Sequence, residues 1–216
     1  MKETILKNGV MLTVFAVVTT ALIALTFFGT ADKIEAQQQA KLLEVLNEVV
    51  PKSMHDNALY DDCIEVDEAA LGGNKPHLVY RATRNGEPQA LVLEATAPDG
   101  YSGNIELVIG VDTTMTVLGV RVIEHKETPG LGDKIELAVS DWILSFTGTT
   151  YSSQSEKVWQ VKKDGGEFDQ FTGATITPRA VVSSVKRALQ FASDNQTMLF
   201  AADNTCNSSK TQKGAM

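Results

Sequence analysis

HLVYRATRNGEPQALVLEATA, residues 77–97, is the stretch of this sequence that most clearly predicts its fold. Apolar and polar side chains alternate on both sides of Asn85-Gly86, and this dipeptide favours the tight turn of a β-hairpin. The Pro-Asp-Gly sequence at 98–100 is typical of a chain break, so we expect the second strand to end before it. The pattern therefore predicts antiparallel strands over residues 77–84 and 88–97.

A second hairpin is predicted directly after the first one. Residues 104–111 and 116–125 are rich in β-branched side chains, and a polar turn separates them. VWQVKK, residues 158–163, is expected to form a further strand. Sequential hairpins with a few helices predict an α+β fold, in which flanking helices cover an antiparallel sheet.

Helices are predicted on either side of the strands. Apolar residues recur at helical spacing over residues 32–50. Asp133 is a good N-cap for a helix over residues 134–146, and Thr177 followed by Pro178 predicts the start of another helix.

The N-terminal segment predicts a single transmembrane helix. Asn8 to Ala31 contains 24 residues without a charge. As a helix this run would reach roughly 36 Å, which exceeds the ~30 Å of a hydrocarbon core. Lys2 and Lys7 precede it, so we expect the N-terminus to be cytoplasmic. The alternative is a cleaved signal peptide, with Gly29-Thr30-Ala31 as the cleavage site, although the apolar run is long for one.

The charge balance excludes one class of partner. The chain has 19 basic and 27 acidic side chains, a net charge of −8. Nucleic acid requires basic patches, so no nucleic-acid partner is expected. The part after residue 31 carries 17 basic and 26 acidic side chains, so it should hang from the anchor rather than lie on an anionic bilayer.

Cys63 and Cys206 are the two cysteines of the chain. Both follow the anchor, and an oxidising compartment would allow them to pair. Their spacing does not show whether they are close, so a disulfide and two separate thiols both stay open. The sequence contains no CxxC, which excludes redox-dithiol and zinc-ribbon sites.

Several kinds of catalytic site are absent from the sequence. It has no P-loop, no dinucleotide-binding fingerprint and no serine-hydrolase elbow. His55, His77 and His125 lack the spacing of metal ligands. We therefore predict no stand-alone catalysis, no catalytic residues and no metal site.

The segment DQFTGAT, residues 169–175, is the strongest functional signal. It brings a hydroxyl to the start of a predicted helix, where backbone amides and the helix dipole favour a phosphate. Gly173 and Ala174 have little bulk to block a ligand, and Arg179 in the first helical turn could pair with an anion. An ordinary capped turn would give the same pattern.

The spacing Asp169-x-x-Thr172-Gly173-Ala174-Thr175 resembles the flavinylation motif of the FMN-binding domain family. The resemblance implies that FMN is joined through its phosphate to the hydroxyl of Thr175, with Thr172, Gly173 and Ala174 beside it. It also implies a separate periplasmic flavin transferase, which takes the FMN from FAD with Mg²⁺.

Three further segments are similar to this family: residues 101–103, 127–132 and 162–166. Glu127 and Thr128 could meet the flavin ring or its phosphate, or this loop could be a plain structural connection. With its single anchor, the whole chain resembles the G subunits of Rnf-type electron transport complexes. The C subunits of the sodium-pumping NADH:quinone oxidoreductase are related to that family.

The resemblance implies a flavoprotein subunit of the bacterial inner membrane. It would relay electrons between the other subunits of its complex, coupled there to ion translocation. A non-redox structural or assembly subunit is the alternative. We expect an anchor over residues 1–31, a connecting helix over 32–56, a periplasmic FMN-binding domain over 57–202 and a disordered tail over 203–216.

Overall fold

The computed structural model describes residues 2–73, 75–154 and 156–206. It divides into two compact units, one up to Leu42 and one from Leu43 onward. Its principal elements, in chain order, are the helix α1 (Lys2–Val49), the strands β1 (Cys63–Val66), β2 (His77–Arg84), β3 (Glu87–Gly100), β4 (Gly103–Asp112) and β5 (Val117–Glu124), and the helix α2 (Ile176–Ala201).

One helical stretch among the described residues, Lys2–Ala31 at the start of α1, is long and apolar enough to cross a membrane. This agrees with the predicted transmembrane helix. α1 continues past this stretch to Val49 and Pro51 follows, which agrees with the helical spacing predicted over residues 32–50.

The five strands form one antiparallel sheet in the order β1-β2-β3-β4-β5. Each strand pairs with the next strand in the chain, so every connection within the sheet is local. The predicted α+β fold with an antiparallel sheet and flanking helices is confirmed.

The β2–β3 hairpin turns at Asn85 and Gly86, both of which have positive φ (53° and 79°), as a type I′ turn requires. The prediction that the second strand ends at residue 97 is wrong. β3 continues to Gly100, which pairs with Gly103, and the register shifts after Ala97. Pro98 is tolerated because it lies at this irregularity, where no ladder hydrogen bond is needed from it.

The main core lies between one face of the sheet and α2. Buried side chains along the helix, such as Val181, Val185 and Leu189, pack with strand residues such as Leu91 and Leu107. Three aromatic rings, Phe146, Trp159 and Phe168, extend this core.

Two predicted elements are wrong. Residues 134–146 form two short 3₁₀ turns, Asp133–Ile135 and Asp141–Phe146, instead of one helix. The hydroxyl of Ser140 accepts a hydrogen bond from the amide of Trp142 at 3.2 Å, and it thereby starts the second turn separately.

Residues 158–163 form no strand of the sheet. One isolated bridge joins Val161 to Phe168, with 3₁₀ turns on either side of it. Trp159 and Val161 are both buried in the core, and the residues between and after them are polar. The alternation therefore reflects burial in this core and does not indicate a strand of the sheet.

The last described residues lie against β1. The amide of Thr205 donates to the carbonyl of Cys63 at 2.9 Å, and the amide of Glu65 donates to the Thr205 hydroxyl at 2.8 Å. Cys206 and Cys63 form a disulfide, with their Cα atoms 5.3 Å apart. Thr205 and Cys206, which fall in the predicted disordered tail, 203–216, are thus held at the sheet edge, and residues 207–216 lie outside the described residues.

The end of α1 packs on the other face of the sheet through two glycines. Gly110 and Gly119 are paired neighbours in β4 and β5. A Cβ on Gly110 would lie 2.4 Å from the Val49 carbonyl oxygen, and one on Gly119 would lie 3.1 Å from the Val49 Cα. The helix end therefore rests directly on the backbone of the sheet.

We expect Gly110→Ala to lower the free energy of unfolding by roughly 1–3 kcal/mol, because the new methyl group would push Val49 away. Gly119→Ala should cost less, since its contact is longer. Denaturant unfolding of both variants tests this order. Equal stabilities for the two variants and the unchanged protein would contradict it.

Replacing both cysteines by serine should lower the stability of the folded domain by about 2–5 kcal/mol, because the bridge closes a long loop of the unfolded chain. Thermal unfolding with and without reductant measures this effect. Reductant should lower the melting temperature of the unchanged protein and leave that of the double variant where it is.

Candidate functional site

A cavity of about 350 Å³ opens at one end of the domain, where three segments meet. The β3–β4 turn contributes Tyr101. The loop after β5 contributes Glu127, Thr128, Leu131 and Gly132, and the start of α2 contributes the successive residues Gly173–Thr177.

The structure brings together most of the residues that the sequence predicts for a cofactor site. Glu127, Thr128, Gly173, Ala174 and Thr175 all line this cavity. They come from segments nearly fifty residues apart, so the fold creates the site.

Two predicted site residues lie elsewhere. Thr172 is exposed and is not among the lining residues. Arg179 lines a neighbouring cavity of about 300 Å³ with Trp159 and Lys186. Its Nε and Nη2 donate to the two carboxylate oxygens of Asp164 at 2.6 and 2.8 Å, and this hydrogen bonding holds the pKa of Asp164 below its ordinary value.

Thr175 occupies the N-cap position of α2, and its hydroxyl makes no capping hydrogen bond. The residue is half-buried and faces the cavity. The prediction that Thr177 caps this helix is wrong, because Thr177 lies inside the first turn and its hydroxyl donates to Glu127 Oε2. Of the two threonines, Thr175 is the one whose hydroxyl is available to a ligand.

The first turn of α2 brings helix amides to the cavity wall, beside the Glu127 carboxylate that lines the same cavity. The first amides of a helix have no partners within it, and the helix dipole adds partial positive charge there. No acidic side chain lies in this turn. Gly173 has a φ of 85°, a conformation that favours glycine, and it keeps the approach to these amides open.

Aromatic and ionic contacts hold the segment before Thr175 in place. Phe171 is buried, and its ring centroid lies 5.1 Å from that of Trp142. The indole of Trp142 donates to the carbonyl of Asp169 at 2.8 Å, and Lys162 pairs with the Asp169 carboxylate at 2.7 Å. The cavity wall is therefore anchored to the aromatic core.

The remaining wall is apolar and accessible. Tyr101, Leu131 and Ile176 are 69%, 43% and 46% exposed, although each is a large hydrophobic side chain. They were not singled out from the sequence. Leu131 belongs to the same loop as Glu127, Ile176 directly follows Thr175, and Tyr101 begins one of the family-like segments, so each had a local signal.

These residues fit FMN. The cavity volume is within the range of small-molecule sites, and an apolar wall with a few polar groups suits an aromatic ring. The helix start suits a phosphate. Gly173 is exposed, so its backbone is accessible to a ligand.

Comparison with known proteins places this cavity inside a recognised region. The FMN-binding domain family matches residues 100–190, and the family described as the RnfG N-terminal region matches residues 1–49. All the residues that line the cavity fall within the first match.

Several relatives match almost the whole chain. A protein of Pseudoalteromonas atlantica is 55% identical over 215 residues, which cover 99% of this chain and 100% of the relative. One of Vibrio cholerae is 50% identical over 206 residues, 95% of this chain and 99% of the relative. One of Shewanella baltica is 49% identical over 207 residues, 95% and 98% of the two chains. All three are named as the G subunit of an ion-translocating oxidoreductase complex.

Proposed function

Because this chain belongs to the family of G subunits of the ion-translocating oxidoreductase (Rnf) complex, we propose that it carries FMN covalently on Thr175 and relays electrons between the subunits of that complex. The FMN-binding domain makes it a flavoprotein subunit of an electron transport complex. In the complex, this transfer would be coupled to ion translocation.

The observation that carries the proposal is the Thr175 hydroxyl, which faces the cavity at the N-terminus of α2 and makes no capping hydrogen bond. A phosphate attached there would lie at the first helical amides, which favour negative charge. Thr177, two residues further on, is only 1% exposed and its hydroxyl is already hydrogen-bonded. The local structure thus favours one attachment point.

A separate flavin transferase would make the bond. The Thr175 oxygen would form an ester with the FMN phosphorus of FAD, the diphosphate P–O bond would break, AMP would leave, and the hydroxyl proton would pass to solvent. The exposed motif residues Asp169, Thr172 and Gly173 would serve as the recognition sequence for that transferase.

Bound FMN would supply one- and two-electron redox chemistry. The chain's own residues would surround it. Tyr101, Leu131 and Ile176 offer apolar surface for its ring, while Thr128 offers a polar contact. An ester through the phosphate leaves the ring itself unmodified, so contacts from the cavity wall can set the redox potential of the ring.

We place the FMN-binding domain, residues 57–202, in the periplasm and the chain in the bacterial inner membrane. The basic residues Lys2 and Lys7 before the apolar helix favour a cytoplasmic N-terminus. The Cys63–Cys206 disulfide agrees with an oxidising compartment for the domain. Residues 8–31 contain no charge, so we expect the ion path in other subunits.

Thr175→Ala should abolish covalent flavin, because it removes the hydroxyl to which we assign the phosphate ester. Fluorescence of the denatured protein in a gel, with the intact mass, measures the attached flavin. Thr175→Ser should retain it, and Thr177→Val should also retain it, since that hydroxyl is buried. The proteins must be made in cells that contain the transferase.

Equal flavin in Thr175→Ala and the unchanged protein would refute attachment at Thr175. An unchanged protein that lacks flavin, yet assembles normally into its complex, would favour a structural subunit instead.

The membrane topology has its own test. Protease added to spheroplasts should remove an epitope fused after Met216 and leave one fused before Met1 intact, because only the C-terminal part would be periplasmic. The opposite pattern would reverse the orientation.

A further inference from the structure

A buried carboxylate in the cavity wall joins all three segments that form the cavity. Glu127 is only 5% exposed. Its Oε1 accepts a hydrogen bond from the amide of Ser102 at 2.9 Å, and its Oε2 accepts one from the hydroxyl of Thr177. One side chain thus connects the β3–β4 turn, its own loop and the first turn of α2.

The backbone of Glu127 is held as firmly as its side chain. Its amide donates to Nδ1 of His125 at 3.0 Å, and Nε2 of the same ring lies 2.5 Å from Glu136 Oε1. Because Nδ1 accepts a hydrogen bond, the imidazole proton is on Nε2 and points to Glu136. The hydrogen-bonded pair of His125 and Glu136 therefore fixes the backbone from which the Glu127 carboxylate extends.

The loop that follows Glu127 is a closed turn. The amides of Leu131 and Gly132 both donate to the carbonyl of Thr128, at 3.1 and 3.0 Å, and the amide of Gly130 donates to Asp133 Oδ2 at 2.9 Å. These hydrogen bonds fix the shape of the turn, so its position depends on the contacts that attach it to the rest of the domain. Glu127 supplies hydrogen bonds that attach this turn to the β3–β4 turn and to the first turn of α2.

Two glycines make room for this carboxylate. A Cβ on Gly132 would lie 2.8 Å from Glu127 Oε2, and a Cβ on Gly100 would lie 3.0 Å from Oε1. Both backbone segments therefore approach the carboxylate closely. Glycine at both positions thus allows two backbone segments to pack against the same carboxylate.

The carboxylate is compensated by hydrogen bonds instead of a salt bridge. No ion pair of Glu127 occurs among residues 2–73, 75–154 and 156–206. Both of its oxygens are occupied by the protein, and a buried donor that loses its acceptor is costly. Removing the carboxylate would release Ser102 and Thr177 together.

We propose that Glu127 is the positioning residue of the cavity, acting on bound FMN through the segments it joins rather than by contact from its own oxygens. This inference rests on the proposed function. By accepting the hydrogen bond of the Thr177 hydroxyl, Glu127 also keeps that hydroxyl away from the ligand. The loop from Thr128 to Gly132 then presents Leu131 to the flavin ring at a fixed distance from Thr175.

The test compares Glu127→Gln, Thr177→Val and the double variant in the full-length protein. Fluorescence after denaturation measures attached flavin, and fluorescence of the native protein measures how well the cavity holds the ring against quenching side chains. Glu127→Gln should keep its attached flavin, while its native fluorescence rises severalfold and its absorption bands lose fine structure. The double variant should be no brighter than the brighter single variant, because both substitutions act on the hydrogen bond between Glu127 and Thr177.

Two matched controls separate positioning from charge and from stability. Glu124→Gln removes an exposed carboxylate three residues away and should change neither signal. Leu199→Ala opens the core at the far end of α2, so it should lower the melting temperature and leave the native fluorescence unchanged below it. Hydrogen exchange in protein without flavin adds a readout, in which the Ser102 amide should lose protection in Glu127→Ala, where neither acceptor oxygen remains.

Failure of the proposed function and failure of the inference about Glu127 give different results. An unchanged protein without flavin overturns the proposed function, and the exchange measurement still tests Glu127. Flavin-loaded Glu127→Gln with normal native fluorescence overturns the inference, as does an equal change in Leu199→Ala. Loss of attachment in Glu127→Gln with normal thermal stability also overturns it, since Glu127 would then act in attachment.

Discussion

The position of the first turn of α2 depends on how the whole helix is buried against the sheet. Its apolar stripe continues from Val181 to Leu199, so the helix cannot slide without exposing the core. At its far end, Arg81 Nη1 donates to the carbonyl of Ala202 at 2.5 Å, and Arg81 also pairs with Asp62. The buried stripe and the contacts at the C-terminal end of α2 therefore restrict the position of its N-terminal end, which carries Thr175.

Local sequence signals predicted the elements that local interactions create. The Asn85-Gly86 turn and the β4–β5 hairpin need only neighbouring residues, and both form as expected. The segment from Asp133 to Phe146 was mistaken for one helix because its buried residues, Ile135, Ile143 and Phe146, recur at near-helical spacing. Their burial comes from packing against distant elements, which a periodicity cannot distinguish from a helix.

The same limit applies to the site. The motif at 169–175 predicts a segment of the cofactor site, and its last three residues line the cavity. Thr177-Pro178 also carries a strong local capping signal. The Thr177 hydroxyl bonds instead to Glu127, fifty residues earlier in the chain. That partner is brought close only by the fold. The sequence consequently predicts five of the lining residues but does not predict the contact between Glu127 and Thr177.

The local field at Thr175 is set by the helix rather than by the net charge of the chain. Arg179 faces an unfavourable dipole in the first turn, but its two hydrogen bonds to Asp164 offset this cost and hold the guanidinium at the neighbouring cavity. Residues 32–216 carry nine more acidic than basic side chains, yet repulsion between exposed charges is screened beyond ~8 Å at physiological ionic strength. The helix amides act within hydrogen-bond distance, where screening is weak. A phosphate at Thr175 would therefore be met by amides, and an acidic domain can accept this further anion.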